Sequence, residues 1–355
     1  MLEVEKYKVQ ANEQIRSAIK QLDGGGIGLC VCIDEKDKVI GVFSDGDFRR
    51  GVLSGVNISE SITQIINRDF IYVKHDYSHD EIDSIFSSTV AQNIPVLQNG
   101  KLIEIIRQEE FYNWKPSLPE ANIDNTVVIM AGGKGTRMDP FTRILPKPLI
   151  PIGKKAVIEI IMDGFARYGM NSFFISINHR GRMIKAFFGD QPGDHNIKYI
   201  DEKKPLGTAG ALKYLSGMVA EPIFVSNCDI IVNENYANIL EFHASGDYMM
   251  TIVASMQHQV IPYGVCELEP TGTLKKIVEK PEYDYLVNTG MYVINPEALK
   301  QIPSNKYYDM TDLINDLKLN GDKIGIYPIS ENKWTDIGEW NMLEKSLDSL
   351  TQIFS

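Results

Sequence analysis

Cysteine is scarce in this chain: four in 355 residues, at positions 30, 32, 228 and 266. No two of them form a Cys-x-x-Cys pair, which excludes a disulfide framework and a thiolate zinc site. Cys30 and Cys32 sit two apart in an apolar run and share one face of a strand. The expectation is buried free thiols in a reducing compartment. The six histidines show no His-Glu-x-x-His spacing, so a zinc-peptidase helix is excluded as well. Positive charge is not in excess: the formal net charge is −11. This disfavours nucleic acid and anionic membranes as partners. No apolar run is long enough to cross a bilayer. The start, Met1-Leu-Glu-Val-Glu-Lys6, has neither a basic region nor an apolar stretch, so no secretory leader is expected and the expected location is cytoplasmic.

What is present is an ordinary globular composition, 43% hydrophobic and 23% charged, with a length that suggests two domains. In the first part, residues 27–33 and 39–43 read as strands around the charged turn Asp34–Lys38. The run Ser44-Asp-Gly-Asp47 then opens a helix that carries Arg49 and Arg50. The plan recurs at 93–97 and 101–106, joined by Asn99-Gly100, a strong hairpin signal. The prolines of 113–120 mark a linker. Beyond it strands and helices alternate: a helix over 156–168, strands at 173–177, 197–200 and 223–226, and a helix over 208–215. Such alternation predicts an α/β domain with a mostly parallel sheet, whose ligands bind beyond the carboxyl ends of the strands. The expected domains are 1–118, a linker at 119–124, and 125–355.

The most informative segment is 130–148, Met-Ala-Gly-Gly-Lys-Gly-Thr-Arg-Met-Asp-Pro-Phe-Thr-Arg-Ile-Leu-Pro-Lys-Pro. It follows the apolar strand at 126–129. Gly132, Gly133 and Gly135 let the backbone turn tightly and approach a ligand. Lys134, Arg137, Arg143 and Lys147 place cations on or beside the turn, a construction suited to phosphates. The spacing fits neither a Walker loop nor the Gly-x-Gly-x-x-Gly dinucleotide turn.

The segment resembles the signature of the sugar-1-phosphate nucleotidyltransferases, in which Gly-Gly-x-Gly-Thr-Arg is followed by Pro-Lys-Pro. The likeness covers residues 124–355. It implies a Rossmann-like, mostly parallel mixed sheet for that part; the N-terminal part is expected to be a smaller α+β domain. It also implies that Ala131, Gly132, Gly133, Gly135 and Thr136 contact a nucleotide, and that Arg137 and Lys147 are catalytic, acting on its phosphates. The block Leu206-Gly207-Thr208-Ala209-Gly210 is expected to hold base and ribose, its helix-opening N–H groups meeting the base edge. Asp229, just past a strand, and Asp336, in Trp334-Thr-Asp336-Ile-Gly338, are the expected Mg²⁺ carboxylates; each alone reads equally as a helix cap. Gly264, Glu279, Lys280 and Asn288 resemble the sugar-phosphate side. The form Glu202-Lys-Lys-Pro-Leu-Gly-Thr-Ala-Gly210 is closer to guanylyltransferases than to the thymidylyl or uridylyl branches.

The N-terminal repeat resembles a tandem pair of cystathionine-β-synthase (CBS) domains. Ser44 and Asp47 match positions that bind a nucleotide ribose in that family, and the same residues read as a helix cap. The second copy carries Arg107-Gln-Glu-Glu110 and lacks the pattern, so one conventional nucleotide site is expected, for a regulatory adenine or guanine nucleotide.

The resulting expectation is an enzyme that condenses GTP with glucosamine-1-phosphate or mannose-1-phosphate, releasing pyrophosphate, for bacterial glycan precursors. A homo-oligomer is expected. No hexapeptide repeat occurs, so no acetyltransferase half is expected. The alternatives are a uridylyl-, thymidylyl- or cytidylyltransferase, or a non-catalytic nucleotide-sugar sensor.

Overall fold

A computed structural model describes residues 4–112, 123–133, 135, 141–189 and 195–337. The chain divides into two compact units, Met1–Ser117 and Leu118–Ser355.

In the first unit β1 (Lys8–Gln10), α1 (Ile15–Gly25), β2 (Leu29–Ile33), β3 (Val39–Ser44) and α2 (Asp45–Leu53) form the first copy of the repeat. The second copy is β4 (Val73–Lys74), α3 (His79–Ser88), β5 (Asn93–Gln98), β6 (Lys101–Arg107) and α4 (Gln108–Phe111). Each copy is a three-stranded sheet with a parallel first pair and an antiparallel hairpin. Asn99 and Gly100 both take positive φ, 52° and 80°, as a two-residue hairpin turn requires. The copies share a core, since Val31 and Val42 of the first pack with Leu97, Leu102 and Ile105 of the second.

The second unit runs β7 (Val127–Met130), β8 (Pro151–Ile152), β9 (Lys155–Ala156), α5 (Val157–Ala166), β10 (Ser172–Ile177), α6 (Gly181–Phe188), β11 (Asn196–Asp201) and α7 (Gly207–Gly210). It continues through β12 (Ile223–Asn227), β13 (Ile230–Val232), α8 (Tyr236–Ser245), β14 (Met250–Val260), β15 (Val265–Leu268), β16 (Leu274–Val278) and β17 (Glu282–Ile294). It ends with α9 (Pro296–Gln301), α10 (Met310–Leu319), β18 (Ile324–Ile329) and β19 (Trp334–Asp336). Among the described residues the central sheet has seven strands in the order β11-β10-β7-β12-β17-β14-β18. Only β17 runs antiparallel to its neighbours.

Helices cover both faces, which is why the strands read as unbroken apolar runs. Val127 and Ile129 of β7 pack into one core with Ile158, Met162 and Phe165 of α5. Val128 packs into the other with Leu212, Leu299 and Leu313. The helix expected over 208–215 is shorter and tighter: α7 covers one turn and Ala211–Leu215 continues as 3₁₀. Cys30, Cys32 and Cys228 are buried thiols as expected, but Cys266 is exposed, because β15 belongs to a two-stranded sheet outside the core. No described helix is long and apolar enough to cross a membrane.

Candidate active site

The glycine turn leaves the carboxyl end of β7, the middle of the parallel strands. Ala131 donates its N–H to the Ser176 carbonyl at 2.9 Å, which ties the turn to β10. A Cβ at Gly132 would lie 2.7 Å from Glu202 Oε1, so any larger residue there would push the Glu202 carboxylate aside. Gly135 takes φ +65°. Lys134, Thr136 and Arg137 lie outside the described residues.

The Pro146-Lys147-Pro148 run is not a solvated loop. Lys147 opens a single 3₁₀ turn and is only 8% exposed. Its Nζ donates to Oδ2 of Asp229, in the turn between β12 and β13. Both line a cavity of about 370 Å³, together with Gly132, Gly133 and Gly135 on one side and Gly207 and Thr208 on the other. The pair is largely buried, and removing either partner alone would strand a buried charge.

The base block departs from expectation in its hydrogen bonding. The N–H groups of Ala209 and Gly210 donate to the Tyr308 carbonyl at 3.0 and 2.9 Å. That of Thr208 donates to Asp309 Oδ1 at 3.0 Å. The helix start is therefore capped by a distant segment, and these N–H groups are not available to a base edge. Gly207 has φ +80°, and a Cβ there would lie 2.6 Å from the Tyr308 oxygen. Glycine is thus demanded by close packing against 307–309 as much as by a ligand.

Asp336 stands opposite Ile230 in the antiparallel β13–β19 pair, and Ile337 N–H donates to the Asp229 carbonyl at 2.8 Å. The ladder brings the two aspartates to the same end of one short sheet, although Asp336 is not among the residues lining the cavity. Asp336 is the last residue of the strand β19. The available donors are carboxylate oxygens, the hard ligands that suit magnesium, which keeps waters and substrate phosphates in its shell. The neighbouring Cys228 thiol is no candidate ligand: burial, and then the Asp229 charge, push it up to about 12. Among the described residues no cluster of three or more His, Cys, Asp or Glu forms a protein-only metal cage.

On the expected sugar side, Gly264 and Glu279 come together from the two ends of the β15–β16 hairpin. A Cβ on Gly264 would lie 2.9 Å from Glu279 Oε2. Lys280 is exposed and takes φ +45°. Asn288 precedes an irregularity in β17 opposite Val253 and Ala254. Its Oδ1 accepts from Gly290 N–H at 3.0 Å and its Nδ2 donates to the Tyr292 hydroxyl at 2.8 Å. Gly290, at φ +87°, lies against the side chain of Asn227, which lines the cavity. None of Gly264, Glu279, Lys280 or Asn288 lines the cavity itself.

Residues unassigned from sequence also line it. Glu202, just beyond β11, accepts from the Ser176 hydroxyl and from Leu206 N–H, the latter at 2.9 Å. Tyr307 and Asp309 close the far wall. The position of Glu202 five residues before Gly207 was a usable signal; nothing local marks Tyr307 or Asp309.

In the N-terminal unit Ser44 caps α2 and Asp47 closes the reciprocal box. Asp47 Oδ2 accepts from Ser44 N–H at 2.9 Å and from its hydroxyl at 2.6 Å, and Oδ1 accepts from Arg50. In the second copy Arg107 and Glu110 take the corresponding places and pair with each other.

Comparison with known proteins matches residues 126–352 to the nucleotidyl transferase family and residues 5–54 to the CBS domain. A mannose-1-phosphate guanyltransferase of Emericella nidulans is 32% identical over 185 residues, 49% of this chain and 50% of that protein. A UTP–glucose-1-phosphate uridylyltransferase of Synechocystis is 30% identical over 233 residues, 60% of each chain. The chain thus spans 50 to 60% of the length of these curated relatives. Among solved structures, HddC from Yersinia pseudotuberculosis is similar in fold, with a TM-score of 0.50 at 23% identity, covering 64% of this chain and 99% of that one. With 126–352 matched and the glycine turn, Lys147 and Asp229 gathered around one cavity, this chain belongs to the nucleotidyl transferase family and carries an N-terminal CBS domain.

Proposed function

We propose that the chain transfers a guanylyl group from GTP to a hexose-1-phosphate, releasing pyrophosphate, with mannose-1-phosphate or glucosamine-1-phosphate as acceptor. The observation that carries the reading is the Lys147–Asp229 pair inside a cavity bounded by the glycine turn and the Gly207–Thr208 block. The attacking sugar phosphate is already an anion, so no strong protein base is needed, and catalysis consists of positioning and charge neutralisation. The glycine turn holds the triphosphate, Arg137 and Lys147 neutralise it, and the prolines beside Lys147 restrict where its ammonium reaches. Asp229 and Asp336 would hold Mg²⁺, which when bound offsets the charge of the phosphate oxygens. Gly264, Glu279, Lys280 and Asn288 receive the sugar phosphate.

Support for guanine comes from Glu202. A carboxylate only accepts hydrogen bonds, and each of its oxygens keeps acceptor capacity beyond the bonds from Ser176 and Leu206. Guanine offers two adjacent donors, N1–H and the 2-amino group. Uracil and thymine offer one N–H between two carbonyls, which a carboxylate repels. The relatives named for mannose-1-phosphate guanylyl transfer point the same way, whereas the Synechocystis protein is named for UTP.

The test is pyrophosphate release with GTP, UTP, dTTP and CTP against mannose-, glucosamine- and glucose-1-phosphate. Release with GTP is expected. No release with any pair overturns the transferase reading and favours a sensor; release with UTP and not GTP overturns the guanylyl assignment. Glu202→Gln is expected to raise KM for GTP about tenfold, the cost of one bond to a charged acceptor. The N-terminal unit is proposed to regulate the enzyme through an adenine or guanine nucleotide, or to join chains into a homo-oligomer. Unchanged kinetics and unchanged oligomeric state after removal of residues 1–120 would dismiss that role.

A further inference from the structure

A second cavity, of about 410 Å³, lies outside the carboxyl ends of β10 and β11, the next crevice along the same edge of the sheet. Glu202 forms a wall of both cavities. Three cations line it: Arg180, Arg182 and Lys185. Lys185 is paired with Asp201 at 2.8 Å. Among the described residues neither Arg180 nor Arg182 has a carboxylate partner. The Glu202 carboxylate also accepts from Ser176 and Leu206. The lining cations Arg180, Arg182 and Lys185 outnumber the lining carboxylates Asp201 and Glu202, so positive charge is in excess here, in a chain whose net charge is −11.

Arg180 is an unusual residue for its place. It caps α6 from the position before Gly181, with φ 55° and ψ 24°, a left-handed conformation that favours glycine. Its Nη2 donates to the Arg143 carbonyl, while Nη1 is buried with no hydrogen-bond partner. A guanidinium with one arm tied to the backbone and one arm buried without an acceptor is short of one hydrogen-bond acceptor. The turn before it also touches the glycine segment, His179 N–H lying 3.5 Å from the Gly132 carbonyl. Arg180 and its neighbour thus reach both the start and the far end of that segment.

We propose that this cleft is a second anion site, which takes inorganic pyrophosphate after it leaves the nucleotide pocket. The choice of pyrophosphate rests on the transferase reading; the existence of an oligophosphate site does not. The ligand is compact and multiply charged, and the side chains of Arg180, Arg182 and Lys185 that line the cleft would offset its charge. Its affinity is expected to fall with added salt.

Titration calorimetry of the full chain with inorganic pyrophosphate, with no triphosphate or sugar phosphate present, tests this without turnover. Two molecules per chain are expected for the parent, and one for the Arg182→Gln/Lys185→Gln double variant. Arg180→Gly is expected to weaken the second site by about tenfold or more, with little change in melting temperature, because φ 55° suits glycine. One molecule per chain in the parent, or two in the double variant, overturns the proposal. GDP filling both sites while pyrophosphate fills one would overturn the pyrophosphate assignment in favour of a nucleotide. If two molecules bind and the release panel is silent, the active-site reading and the choice of pyrophosphate as product fall, and the oligophosphate site stands.

Discussion

Ser44 and Asp47 in the N-terminal unit and Lys147 and Asp229 in the C-terminal unit are both polar pairs at strand ends, and both pairs are largely hidden from solvent. They differ in how they are closed. Asp47 is bound by Ser44 and Arg50, each three residues away, and the arrangement is a reciprocal helix cap with an added ion pair. Asp229 is bound by Lys147, 82 residues away, and the pair faces a cavity with glycines on two sides. A polar group satisfied by its own turn has its main partners whether or not a ligand comes. One held by a distant partner across a cavity keeps charge where only the tertiary fold or a ligand can meet it. The second arrangement is the more informative about function, and the first is stable as it stands.

The comparison can be broken at Asp229. Asp229→Asn is expected to lower the rate of pyrophosphate release by about 10²–10³-fold, with circular dichroism unchanged. Activity near the parent's would mean that the long-range pair is structural, like the cap. Gly207→Ala tests the opposite wall of the cavity. The added Cβ meets the Tyr308 oxygen at a φ of +80°, a strain on the order of 1–3 kcal/mol. A lower melting temperature and a raised KM for the triphosphate are expected together. A raised KM without a stability loss would indicate direct ligand contact only.

Acid sharpens the contrast between the units. His243 in α8 is buried, with Nδ1 2.9 Å from the Thr251 hydroxyl, and burial lowers its pKa from 6.5 to about 4. The unfolded chain binds a proton in that interval that the folded chain refuses. Stability from the neutral ring is therefore present above pH 6.5 and lost as pH falls from 6.5 through 4. His75 and His79 of the N-terminal unit are exposed. Calorimetric melts between these limits should show the C-terminal unit losing stability more steeply with acid. His243→Gln should flatten that slope, and an unaltered slope would assign it to carboxylates instead. The smallest effect is expected at the cap: Asp47→Ala should cost the N-terminal unit about 1 kcal/mol, measured by urea unfolding. A far larger loss would show that Asp47 supports more than its own helix.

Much of the architecture was legible because it is written in short-range patterns. Residues 127–129 alternate between two cores, yet read as one apolar run, since helices cover both faces of the sheet. Asn99-Gly100 announced its hairpin through the positive φ both residues can adopt. The glycine turn was legible for the same reason; Asp229 stood out by its place past a strand, and Asp336 by the Trp334-Thr-Asp336-Ile-Gly338 block that resembles the family's. What failed were inferences that needed knowledge of a neighbour. The N–H groups after Gly207 read as open, and Tyr308 and Asp309 cap them across about a hundred positions of sequence. Cys266 read as buried because the composition favours it, and β15 lies off the core. The burial of Lys147 and its pairing with Asp229 were likewise not legible, since Asp229 is 82 positions away.

The sequence by itself determined the order of strands and helices, the glycine turn, and the residue types able to hold phosphates, because these depend on periodicity and on backbone freedom a few residues long. Tertiary structure alone decided which of those groups face one another. It set Lys147 on Asp229, Glu202 against Gly132, the 307–309 segment on the base block, and Arg180 at the mouth of a second cavity. Those pairings join segments distant along the chain, and only the parallel stacking of strand ends brings them to one edge.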